Sequence, residues 1–131
     1  MDSVENRRVV EQFYAAMNTN DFRAAGDWLH ADYVLDWPQS GERVRGRENF
    51  IAINQSYPAA GPWRFTIQHL MADETGVASD VLVSDGAVTA RAIAFSDLRD
   101  GKIYHQTEYW PDPFEAVPSR AQWVERIDAS V

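Results

Sequence analysis

The chain has 131 residues, 45% hydrophobic and 24% charged, with a net charge of −8 from 20 acidic and 12 basic side chains. That length is one domain, residues 1–131, with room for a core that needs no staple. The acidic balance excludes a nucleic-acid footprint and attraction to an anionic membrane surface, and the lack of cysteine excludes disulfides, thiolate nucleophiles and cysteine metal sites.

Asp2 and Glu5 have the spacing of a capping box, and Val10, Phe13, Tyr14 and Met17 follow as one helical stripe. Asn18-Thr19-Asn20 ends that helix, because these side chains compete for backbone hydrogen bonds. Asp21 caps a short second helix with Phe22, Ala25 and Leu29 inside. A strand is expected over residues 33–37, stopped by Pro38, followed by a turn over residues 39–42. Gly46 leads into a third helix to about Tyr57, with Phe50, Ile53 and Tyr57 facing in; the Pro58-Ala59-Ala60-Gly61-Pro62 segment is a loop.

From Trp63 the period becomes two. Phe65, Ile67, His69 and Met71 share one face of a strand, and Val77, Ser79, Val81 and Val83 share one face of the next. Asp85-Gly86 is a hairpin signal. The third long strand sets Arg91, Ile93 and Phe95 on one face and Ala90, Ala92 and Ala94 on the other, where something approaches closely. Asp100-Gly101 turns into a final aromatic strand, on which parity groups Tyr104, Gln106, Glu108 and Trp110. Ser119 and Gln122 open a C-terminal helix carrying Trp123, Val124 and Ile127. Three helices followed by a meander make an α+β domain, with a bent sheet wrapped over the helices as a cone. The N-terminus has no apolar leader and no segment is long and apolar enough to span a membrane, so a cytoplasmic protein is expected.

FYAAMNTNDFRAAGDWLHADYVLDWP, SGERVRGRENF and LRDGKIYHQTEYWPDPF occur in an order that resembles the nuclear transport factor 2-like superfamily, in its SnoaL-like, polyketide cyclase-like branch. The resemblance implies a conical fold: three N-terminal helices, a strongly curved mixed sheet that is mainly antiparallel, and a C-terminal helix. It also implies an internal cavity and a homodimer. Matched to the ketosteroid isomerases of that superfamily, Phe13 falls where they have the oxyanion-binding tyrosine. Trp37 falls at their base and Ile93 at their protonated aspartate. A site without base or oxyanion donor cannot enolise a steroid by that route. Matched to the polyketide cyclases, Glu108 falls where they keep an aspartate on the final strand.

Glu108 is therefore the candidate acid/base, with Tyr104, Gln106 and Tyr14 orienting a carbonyl or enol. Desolvation in a cavity raises a carboxyl pKa toward a useful range. The competing expectation is a structural bridge between Glu108 and Arg91 on the neighbouring strand. Arg91 with Asp80 or Glu108 is also the start of an epoxide hydrolase-like relay. Trp37, Trp63 and Trp110 form either an aromatic cage or core filler. His30, His69 and His105 lack ligand spacing, so no metal is expected. The glycines lie in separate turns, which leaves no phosphate loop and no cofactor. The expected partner is a small apolar or aromatic ligand. Three functions stay open: a cofactor-free cyclase, isomerase or lyase acting on a small apolar carbonyl compound; a binding module without chemistry; and a dimeric interaction subunit of a larger enzyme.

Overall fold

A computed structural model describes residues 2–131. Helix α1 (Ser3–Met17) starts under the Asp2 carboxylate, which accepts the Glu5 backbone N–H at 2.8 Å. Its stripe of Val10, Phe13, Tyr14 and Met17 is buried as the spacing predicts. Helix α2 (Phe22–Gly26) is capped in the same way by Asp21. Leu29, expected on that helix, instead begins strand β1 (Leu29–Trp37). The short strand β2 (Glu42–Arg45) pairs with β1 and was not expected. Four residues are too few to display a period, so the partner strand decides their structure. Helix α3 (Arg47–Ser56) follows, and Phe50 and Ile51 are its buried residues, whereas Tyr57 stays exposed.

The meander comprises β3 (Arg64–Ala72), β4 (Gly76–Ser84), β5 (Thr89–Arg99) and β6 (Lys102–Tyr109). One six-stranded sheet runs in the order β2-β1-β6-β5-β4-β3. Only β1 and β6 are parallel, so the sheet is mixed and mainly antiparallel. The helices cover one face, and the result is the expected α+β cone. Val77, Ser79, Val81 and Val83 of β4 and Ala92, Ala94 and Ser96 of β5 point under the helices. The small alanines let that layer come close to the sheet.

At the free edge of β3 the helical hairpin substitutes for a seventh strand. The Asn18 side chain donates to the Phe65 carbonyl and accepts its N–H, at 2.8 and 2.7 Å. Asn20 does the same with Trp63 at 2.8 Å each way. These two amides satisfy backbone groups that an exposed edge leaves open. They also fix where Trp63 stands.

Two expectations about strands change. A register shift between Ile67 and His69 buries Leu70 and turns Met71 out. The C-terminal helix is a six-residue 3-10 turn, Pro118–Trp123, with no buried residue. Its apolar side chains stay exposed, and a helix that short with no buried face is unstable in water.

Candidate functional site

The centre of the site is Glu108 on β6. It pairs across the sheet with Ala94, so it lies on the face that the helices cover. Because Ala94 is small, the carboxylate has room on that face. The carboxylate is part-buried and accepts the Trp37 indole N–H at 2.9 Å. Trp110 approaches as a second donor. Burial pushes its pKa up, and the two indoles oppose that shift by holding the anion.

Tyr14 of α1 and Tyr33 of β1 lie close enough to feel its charge. Burial first and the Glu108 carboxylate second raise both phenol pKa values. Tyr33 donates to Gln106 Oε1 at 2.5 Å, and Gln106 Nε2 donates to Ser96 Oγ at 3.0 Å. Gln106 is 2% exposed and fully engaged, so it braces the floor and does not present its amide to a ligand. The Tyr14 hydroxyl lies beside the buried hydroxyl of Ser79, which lowers its pKa against the effect of burial.

Trp37 and Trp110, the partners of Glu108, also line a cleft of about 830 Å³. Trp37, Ile53, Trp63, Val83, Ala90 and Trp110 line it, with Glu42, Tyr57 and Asp112 at the rim. The Gln39 side chain ties Trp110 in place: its Oε1 accepts the Trp110 N–H at 2.6 Å, and its Nε2 donates to the Trp110 carbonyl at 3.2 Å. A second hollow of about 730 Å³ runs along α1 and β3, lined by Tyr14, Trp63 and Phe65 among others. Trp63 borders both.

The structure therefore brings together Glu108, Trp37, Trp110 and Tyr14. It separates two other expected residues. Tyr104 is not on the Glu108 face, because a register shift between Asp97 and Leu98 breaks the strand's parity. Its ring instead packs under the Arg99 guanidinium, 3.8 Å from the ring centroid, and edge-on to His30. Arg91 lies on the opposite face of the sheet from Glu108. Its Nε pairs with Asp80 Oδ1 at 2.7 Å and its Nη1 donates to the Val131 carbonyl at 3.0 Å. Asp80 also holds His69 at 2.9 Å. Neither the expected Glu108–Arg91 bridge nor a relay between them forms. Phe13 and Ile93, matched above to isomerase polar positions, are a core ring against Phe50 and an outward side chain of β5.

Sequence reasoning missed Tyr33, Ser79 and Ser96 as site residues. The signal was present for all three, Ser79 by its alternation with Val77, Val81 and Val83. Tyr33 shares the parity of Trp37, and Ser96 that of Ala90, Ala92 and Ala94.

The SnoaL-like domain model matches residues 10–106. A candidate ketosteroid isomerase from Kribbella flavida DSM 17836 superposes with a TM-score of 0.87 at 28% identity, over 97% of this chain and 93% of that one. An NTF-2 like protein of unknown function from Burkholderia xenovorans LB400 is 32% identical with a TM-score of 0.75, over 95% and 96%. An LEH-like epoxide hydrolase from M. tuberculosis shares the fold at 20% identity and a TM-score of 0.68, over 83% and 84%. No curated protein matches the chain. The matched domain covers most of the sequence, from within α1 into β6, so the chain belongs to the SnoaL-like family of the nuclear transport factor 2-like superfamily.

Proposed function

We propose that the protein is a cofactor-free isomerase, cyclase or lyase that moves a proton on a small, mainly apolar carbonyl compound. The observation that supports this is Glu108: a desolvated acid held behind Trp37, whose ring lines an open aromatic cleft, with Arg91 engaged elsewhere. A carboxylate with a raised pKa is suited to take a proton from carbon next to a carbonyl and return it to another atom. Trp37 and Trp110 hold it in place, and their rings with Trp63 bind the apolar body of the substrate. Tyr14, which lies beside Ser79 and feels the Glu108 charge, is the donor assigned to the oxygen that gains charge.

Glu108→Gln keeps the side chain's shape and one acceptor oxygen for an indole, and removes the base. A crystal soaked with candidate carbonyl compounds identifies what binds. Turnover of that compound should fall by at least a hundredfold in the variant, the usual worth of a positioned acid/base. Unchanged turnover overturns the assignment.

The two indole donors also favour a second reading, a pocket that binds without chemistry. Retained binding in Glu108→Gln with no turnover by either protein selects it. We also propose a homodimer. Met71, Phe95 and Tyr109 are exposed on the outer sheet face, and the tail exposes Phe114, Trp123 and Ile127. Apolar area of this kind supports a partner surface. An interaction subunit of a larger enzyme would use the same surface.

A further inference from the structure

We infer that the ligand of the cleft carries an alkylammonium head, seated at the rim, with its uncharged body directed inward against Trp37 and Trp110, the indoles that hold Glu108. The inference rests on the cleft being a ligand site. No lysine, arginine or histidine lines the cleft, while Glu42 and Asp112 stand on its rim. The nearby Arg43 cannot supply a positive charge, because it pairs with Asp36 on the other face of the sheet. An anionic ligand would meet two carboxylates and no counter-charge.

Four aromatic rings, Trp37, Tyr57, Trp63 and Trp110, complete the lining. An alkylated ammonium is weakly hydrated, so it gives up water readily and binds ring faces as well as carboxylates. Hydrogen bonding of the two indoles to Glu108 adds to this: an N–H that donates to an anion makes its ring richer in electrons and a better cation acceptor. The polarity of the cone then runs from a cation-seeking mouth to a proton-transferring floor. That order orients a substrate with a charge at one end and a reactive carbonyl at the other.

The test compares choline with 3,3-dimethylbutan-1-ol, its neutral isostere, by titration calorimetry and tryptophan fluorescence on the full chain. Choline should bind about tenfold more tightly, the scale expected from cation–π contact reinforced by rim charge. The exposed double variant Glu42→Gln with Asp112→Asn should reduce that advantage severalfold without altering the fold. Trp110→Ala should weaken choline binding and reduce the fluorescence response, leaving the part carried by Trp37 and Trp63. Equal or tighter binding of the neutral alcohol overturns the charge preference and leaves the cleft as a ligand site. If neither compound binds, the inference and the ligand-site reading both fall.

Discussion

Glu108 and Asp36 show how position alone sends two strand carboxylates in opposite directions. Glu108 faces the cone, and desolvation raises its pKa. Asp36 faces outward, where a hydrogen bond from Arg43 at 2.5 Å, followed by His105, holds its value down to about 2. Opposite stability effects follow. Between the ordinary value of 4.5 and its raised folded value, Glu108 keeps its proton in the folded state more than in the unfolded state. Stability therefore falls as pH rises through that window, and Glu108→Gln should remove the decline in urea melts taken across it. Indole fluorescence should report the same titration, with a midpoint above 4.5, and lose it in the variant. For Asp36 the stability is present above 3.8 and lost as pH falls toward 2. Asp36→Asn should flatten that acid limb of the stability profile. Tyr33→Phe strips Gln106 Oε1 of its buried donor and should cost about 1–3 kcal/mol in chemical denaturation. Adding Gln106→Leu and Ser96→Ala should recover part of that loss, since no member of the buried network is then left unpaired.

At the scale of elements, the helical hairpin is both core and edge cover. Asn18 and Asn20 end α1, and their side chains also clamp β3. Replacing both with alanine removes four hydrogen bonds to that edge and should destabilise the protein by roughly 2–4 kcal/mol, given about 0.5–1.5 each with partial replacement by water. Amide hydrogen exchange at Trp63 and Phe65 should accelerate more than at the central β4 and β5 strands. A uniform acceleration would mean global loss of stability and no specific clamp. Because Trp63 borders both hollows, choline binding should weaken along with the clamp.

For the whole molecule, the question is what covers the outer face and the tail. Trp123 and Ile127 are 76% and 90% exposed, and burying such side chains is worth about 1.5–3 kcal/mol each. Light scattering should give twice the mass of one chain, and removal of residues 113–131 should shift it toward one. A monomeric mass for the full chain would overturn the homodimer. Arg91 ties the end of the tail to the sheet through Val131, so Arg91→Ala should weaken association without touching the cleft.

Much of this architecture was legible in residue patterns, because a strand's period and a turn's backbone demands are local. The burial of Val77, Ser79, Val81 and Val83 follows from alternation, and Asp100 and Gly101 adopt φ of 54° and 73° at the turn their residue types announce. The inward direction of Glu108 was also visible, and so was its place beside Trp110. What stayed hidden depended on strand order and on one-residue irregularities. A single register shift moved Tyr104 to the other face, and Arg91 found Asp80 on β4 instead of Glu108 on β6. The partner of Gln106 is Tyr33, 73 residues away. No local period encodes such a contact; it exists because β1 runs parallel beside β6, and only the strand order of the folded sheet brings that about.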